Sequence, residues 1–150
     1  MDPELTIDRA LRTYLAKGYT REWINQRLQA ISVRKELTDA WQDHGVKAGS
    51  EYAILRNEIT KAWSGMTTRQ YKNLKGLTKE NLRDNMSTIE IVLNMLAEAS
   101  TTEISKEVKP KNFDENKKVA KLGGNVAGNA RKEIEKTTKK SIITNRKTLQ

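Results

Sequence analysis

The sequence contains no cysteine in its 150 residues. That excludes a disulfide framework, thiolate zinc ligation and thiol catalysis. A lone histidine excludes clustered-imidazole metal sites. No run approaches the ~18 apolar residues of a membrane span, and no secretory leader pattern opens the chain. No Ser/His/Asp or paired-carboxylate constellation with a mechanism behind it is visible, so no enzyme is expected. Together these absences predict a cytoplasmic, non-enzymatic protein with no cofactor, no metal and no membrane contact. Aromatics are 5% and apolar residues 36%, which allows one modest core.

Positive charge is in surplus. The net charge is +9, and it is unevenly placed. Residues 1–105 hold 15 basic and 14 acidic side chains, whereas residues 106–150 hold 13 basic and 5 acidic, a balance of +8. A field concentrated in this way can attract phosphate backbones by counterion release. A solubilising tail is the alternative.

Apolar residues recur every three or four positions and hardly anywhere alternate, so the chain reads as all-α. The pattern predicts helices near 6–17, 20–44, 50–63, 67–75, 78–85, 87–106 and 114–137. Met86-Ser87-Thr88-Ile89-Glu90-Ile91 has a Ser87 N-cap, a Glu90 capping box and a Met86–Ile91 staple. Met66-Thr67-Thr68-Arg69-Gln70-Tyr71 repeats that design. Weaker starts stand at Thr6, Thr20 and Thr78, and Ser50 is a further cap candidate. Gly18, Gly45, Gly49, Gly65 and Gly76 follow periodic runs, as C-terminal glycines do. A break near Ser32 is expected, because the stripe Ile24, Leu28, Ile31 falls out of phase with Leu37, Ala40, Trp41. The ends 1–5 and 138–150 read as frayed, and 1–5 are set aside functionally. Short loops suit a compact bundle of about six to seven helices. Its organisation reads as a helical core over 6–106 and a basic C-terminal helix and tail over 107–150, docked on the core as one domain.

Within that bundle the helix at 87–106 is apolar nearly all round and should be central and buried. The helix at 50–63 should bury Tyr52, Leu55, Ile59, Ala62 and Trp63 and turn Arg56 and Lys61 to water. Trp23, Trp41 and Trp63 read as core. His44, before Gly45, reads as a C-terminal cap.

Residues 114–137, DENKKVAKLGGNVAGNARKEIEKT, form the most unusual stretch. As one helix it would place Val119, Leu122, Val126 and Ala130 on one face. Lys117, Lys121, Gly124, Gly128 and Arg131 would lie opposite, a face basic at its ends and bare in the middle. A bare backbone lets a partner approach, and Lys118 and Lys132 add to the flanking cations. Two alternatives stand beside this: Gly123-Gly124 ends one helix and begins another, or Gly124 and Gly128 form a small-residue helix contact. Three helical glycines cost about 1 kcal/mol each relative to alanine, which docking must offset. The spacing fits neither a dinucleotide fingerprint nor a Walker loop. A second basic group, Arg69, Lys72, Lys75, Lys79 and Arg83, spans a short helix, the Gly76 turn and the next expected helix start. Helix–turn–helix spacing of that kind can present a helix N-terminus to phosphate. Glu80 and Asp84 dilute it, and a solvated face is the alternative reading.

From Glu22 to about Ile142 the chain resembles the C-terminal region of DNA-damage-inducible protein D and related BRO-type phage antirepressor proteins. The likeness rests on Arg34-Lys35-Glu36-Leu37-Thr38, Tyr52-Ala53-Ile54-Leu55, Lys75-Gly76-Leu77 and Glu80-Asn81-Leu82-Arg83-Asp84. Met95 to Ile104, Asn116-Lys117 and Gly123 to Arg131 extend it. The resemblance implies a phage or DNA-damage regulon setting and a non-enzymatic regulator of transcription or of recombinase filaments. Many members carry an N-terminal BRO domain, for which this chain has no room.

Two functions are therefore expected. One is a regulator that binds nucleic acid, DNA first, through phosphates, using Lys117, Lys118, Lys121, Gly124, Gly128, Arg131, Lys132, Lys72, Lys75, Lys79 and Arg83. The other is a protein-interaction or homodimerisation module acting on a repressor or recombinase partner, with Gly124 and Gly128 at a close helix contact.

Overall fold

In a computed structural model, residues 3–145 are described, with side chains from Ile7 onward. They form an all-α fold of six α-helices: α1 (Pro3–Ala16), α2 (Arg21–Asp43), α3 (Ser50–Ser64), α4 (Thr68–Leu74), α5 (Thr88–Val108) and α6 (Phe113–Thr138). The expected frayed residues 1–2 and 146–150 lie outside the described residues.

The strong start signals act as their chemistry dictates. Thr67 and Ser87 each close a capping box with the Gln or Glu three residues on. Thr20 accepts the N–H of Trp23. His44 caps α2, with Nδ1 2.8 Å from the Ala40 carbonyl oxygen. Other expectations fail. α1 begins at Pro3, so Thr6 is inside it, and the cap of α3 is Gly49 rather than Ser50. Residues 78–85 form no α-helix, only a loop and a single 3-10 turn, Arg83–Asn85. Thr78 spends its N–H on the Glu80 carboxylate, and Asn81 accepts the N–H of Asp84, so side chains take the place of a helical ladder.

α2 runs unbroken through Ser32. The residues sharing its inward face are Trp23, Arg27, Ala30, Arg34, Leu37 and Trp41, separated by alternate steps of four and three. Two arginines thus sit in phase with the tryptophans. All three tryptophans are buried in the core.

α5 packs between α2 and α6 and also meets α3. It is central, but it is not apolar all round on its buried side. Glu90, Asn94, Glu98, Thr101, Thr102 and Ser105 are buried, whereas Ile89, Val92 and Leu96 face outward. The reason is that neighbouring helices supply partners. Arg34 of α2 grips Glu98 through Nε and Nη2, Trp63 Nε1 of α3 donates to Asn94 Oδ1 at 3.1 Å, and Lys75 Nζ lies 3.0 Å from Glu90 Oε1.

α6 is one continuous helix, turned so that Val119 and the glycines face inward and Leu122 and Val126 do not, which bears out the small-residue contact and not the wholly apolar inward face. Val119, Ala120, Gly123, Gly124, Ala127 and Gly128 are buried, while Leu122 and Val126 are exposed. The glycines are needed where backbones cross. A Cβ on Gly123 would lie 2.6 Å from the Thr101 backbone nitrogen of α5. On Gly128 it would lie 2.5 Å from the Ala62 carbonyl oxygen, and on Gly124 2.8 Å from that of Ile59, both on α3. The small-residue contact is therefore made within the chain, and this close packing offsets the ~3 kcal/mol propensity cost of three glycines. After α6 the chain folds back. Ile142 and Ile143 are buried, Ile142 N–H donates to Glu135 Oε2, and Lys75 Nζ donates to the Thr144 carbonyl. Residues 138–145 are thus docked rather than frayed.

Candidate nucleic-acid interface

α2 and α3 touch near the start of α3. There Tyr52 O–H donates to the Thr38 carbonyl at 3.2 Å, and the Trp41 and Tyr52 rings lie 5.4 Å apart. Beside α3, between α4 and the segment 79–86, a cleft of about 580 Å³ opens. α2 contributes Arg34 to its lining, α3 contributes Arg56 and Asn57, and α5 contributes Asn94. The loop and turn before α5 contribute Lys79, Glu80, Asn81 and Arg83, and α4 adds Thr68 and Lys72. Five cations therefore border one concavity, with Glu80 the one acidic side chain among its lining residues.

The turn carrying Arg83 is anchored by Asp84. Its Oδ1 accepts from Tyr14 O–H at 2.6 Å and from Arg27 Nε at 2.9 Å, and its carbonyl accepts from Tyr19 O–H. Arg27 is buried, and its Nη1 has no hydrogen-bond partner among the described residues. Burial and the Asp84 hydrogen bond push the Tyr14 hydroxyl up to about 12.

Arg34 and Arg27 are paired with carboxylates; Arg56 and Arg83 are not. Arg56 donates Nε to the Tyr52 carbonyl, and the Arg83 side chain, whose backbone carbonyl accepts the Met86 N–H, makes no hydrogen bond or ion pair among the described residues. Burial, then repulsion from Arg34 and Arg27, lowers Arg83 to about 9. Arg56 is lowered by the same two kinds of cause, burial first and Arg34 second. A half-buried guanidinium held beside like charges is destabilised, and the attraction of Glu98 for both arginines and of Asp84 for Arg83 offsets only part of this.

The amides of the cleft share a polarity. Asn57 Oδ1 accepts the Thr68 N–H at 2.9 Å, Asn94 Oδ1 accepts the Trp63 indole N–H at 3.1 Å, and Asn81 Oδ1 accepts the Asp84 N–H at 3.1 Å. With each oxygen already accepting one N–H, the NH₂ group of each amide remains to donate. The lining is thus rich in donors.

The expected site residues divide. Lys72, Lys79 and Arg83 meet in this cleft. Lys75 does not, being fully buried on Glu90, whose other oxygen accepts the Tyr71 hydroxyl. Gly124 and Gly128 are closed off by α3, so neither offers bare backbone to a partner. Lys117 and Lys121 share Glu58 of α3 at 3.9 and 4.0 Å. Arg131 donates Nε to the Trp63 carbonyl at 2.7 Å and pairs with Glu135, serving as a brace at the end of α3. Lys118 and Lys132 are exposed along α6. Sequence reasoning missed Arg34, Asn57, Asn81 and Asn94 and turned Arg56 to water. The available signal was Arg27 and Arg34 standing in the phase of the tryptophans.

Among the described residues no helix is long and apolar enough to cross a membrane, and no cluster of three His, Asp or Glu could hold a metal ion. No curated protein and no solved structure matches the chain. A family model does, the DinD C-terminal domain, over residues 19–145. That span includes every residue lining the cleft and all of α2 to α6, leaving outside it α1 and the two ends. The chain, DNA-damage-related by this kinship, belongs to the family of DNA-damage-inducible protein D C-terminal domains.

Proposed function

We propose that this is a cytoplasmic, non-enzymatic regulator of the DNA-damage response that binds nucleic acid through phosphates, with the cleft bordered by α3, α4 and the segment 79–86 as the seat of the contact. The observation that carries this reading is the convergence of Arg34, Arg56, Lys72, Lys79 and Arg83 on one concavity in which two arginines lack a carboxylate. Arginine suits phosphate because its planar fork donates two parallel hydrogen bonds. The exposed lysines of α6 add long-range attraction rather than contacts.

The test is an anisotropy titration of labelled DNA against salt. Affinity should fall steeply between low and moderate salt. The Arg56→Gln/Arg83→Gln double variant should bind at least about tenfold more weakly and show a shallower salt slope by about two. Absence of binding by the unaltered protein at low salt rejects the reading. Incubation with DNA and magnesium checks the non-enzymatic part, where cleavage would contradict it.

A second reading, a module for a protein partner or a second copy, draws on Ile89, Val92, Leu96, Leu122 and Val126, which are large, apolar and exposed on α5 and α6. Light scattering distinguishes it. A dimer that becomes a monomer on Leu122→Asp/Val126→Asp supports this reading.

A further inference from the structure

We propose that the inner cleft binds a phosphomonoester, the terminal phosphate of a nucleic-acid strand, with Arg56 and Arg83 as its cationic ligands and asparagine NH₂ groups completing the cradle. This rests on the nucleic-acid reading and narrows it from phosphate in general to a strand end.

Three observations support the choice. The first is charge. Arg27 is paired with Asp84 and Arg34 with Glu98, whereas Arg56, Arg83, Lys72 and Lys79 line the cleft with no carboxylate at ion-pair distance among the described residues, and Glu80 is the one acid among its lining residues. Such a surplus of cations over carboxylates favours a dianion over a monoanion. An internal phosphodiester carries one charge, whereas a phosphomonoester carries about −1.5 to −2 near neutral pH. Lys72 and Lys79 then meet the next phosphate along the strand, with Glu80 beside them.

The second is hydrogen-bond polarity. A terminal phosphate dianion offers three acceptor oxygens and no donor. The NH₂ groups of Asn57, Asn81 and Asn94 remain to donate, while their oxygens already accept from Thr68, Asp84 and Trp63. A nucleobase edge would ask for acceptors as well. No aromatic ring lines the cleft to stack a base.

The third is shape. A cleft of about 580 Å³ lies in the range of sites that enclose a small ligand. It can surround one nucleotide's phosphate and sugar. It cannot surround the middle of a duplex, whose phosphates line an extended surface.

The experiment uses the full chain and one short single-stranded oligonucleotide in three forms: 5′-phosphorylated, 3′-phosphorylated and hydroxyl at both ends. Competition anisotropy should show a phosphorylated form binding about tenfold or more tighter than the hydroxyl form. That advantage should shrink to within twofold in Arg83→Gln and partly survive in Arg83→Lys, while hydroxyl-ended binding falls in Arg83→Gln only by the smaller factor that loss of one phosphate contact gives. Thermal melting confirms that each variant is folded. If all three oligonucleotides bind within twofold of one another, the strand-end proposal falls while the nucleic-acid reading stands. If none binds, both fall. If inorganic phosphate raises the melting temperature but no oligonucleotide binds, the cleft is a small-anion site and the strand-end proposal is overturned.

Discussion

Cations are deployed in two ways in this molecule. From residue 106 onward the chain carries a net +8, yet along α6 those charges spread over different faces: Lys118 and Lys132 point to water, Lys117 and Lys121 share one carboxylate, and Arg131 ties down α3. Residues 1–105 are nearly neutral, yet five of their cations border one cleft. Net charge measures the field a partner feels at a distance, and convergence measures what it meets on contact. α3 separates the two regions, turning Ile59 and Ala62 toward the glycines of α6 and Arg56 and Asn57 toward the cleft.

The sharpest way to break this comparison is Gly123→Ala. If the glycine face of α6 were open, alanine would stabilise the helix by about 1 kcal/mol. Packed as it is, the new Cβ meets the backbone nitrogen of Thr101 at 2.6 Å, and backbone cannot turn aside. The expected result is a loss of about 3 kcal/mol in a urea melt. A gain would return that face to the solvent and to a ligand.

Next in size is Asp84→Asn, which acts on the cleft and leaves α6 alone. It removes the charge that answers the buried Arg27 and weakens the two hydrogen bonds that Asp84 Oδ1 accepts from Tyr14 and Arg27, leaving the Tyr19 bond to the Asp84 carbonyl in place. Asp84 is 25% exposed, so the full penalty of a broken buried pair is not reached. A loss of about 2–3 kcal/mol is expected, with oligonucleotide affinity falling beyond what the Arg83→Gln variant alone produces. Unchanged stability would mean that the turn is held by something other than this carboxylate.

The fold was largely legible because helix signals are local. Ser87 with Glu90, Thr67 with Gln70, and the glycines that end helices all act within one turn of themselves. The orientation of α6 was not legible, because Leu122 and Val126 argue for one face by hydrophobicity and Gly124 and Gly128 for the other by closeness. Only the presence of α3 and α5, themselves folded, decides which wins. The cleft was half legible. Lys72, Lys79 and Arg83 form a basic cluster in sequence, but their convergence depends on Arg34 and Arg56, which come from other helices. Arg27 and Arg34 broke the apolar stripe of α2, and a polar residue in a core phase reads equally as a helix break or as a site. Lys75 shows the same limit, since only the placement of Glu90 distinguishes a buried ion pair from a surface cation.

A smaller effect tests how the rim of the cleft is held. Tyr14→Phe removes the hydrogen bond to Asp84 Oδ1 and should cost about 1 kcal/mol at neutral pH. The native hydroxyl is raised from 10 to about 12. In that interval the unfolded tyrosine has lost its proton while the folded one keeps it, so the native state binds more protons and its stability falls as pH rises. Phenylalanine has no such loss. The gap between the two proteins should therefore narrow from about pH 10 upward, measured by urea melts at neutral pH and near pH 11. A gap that stays constant would show that Tyr14 is held without its hydroxyl.

The smallest expected effect bears most directly on the meaning of the +8. Lys118→Gln and Lys132→Gln remove two of the exposed charges of α6 without touching its packing. Stability should change by less than about 0.5 kcal/mol. If the lysines act through the field alone, association should slow at low salt and recover toward the parent rate as salt screens them, while dissociation stays unchanged. If they touch phosphate directly, dissociation should quicken and the salt slope should drop by about one per lysine. Stopped-flow measurements at two ionic strengths separate these outcomes. The first would leave the cleft as the seat of contact; the second would extend the interface across α3 and make the two cationic regions parts of one surface.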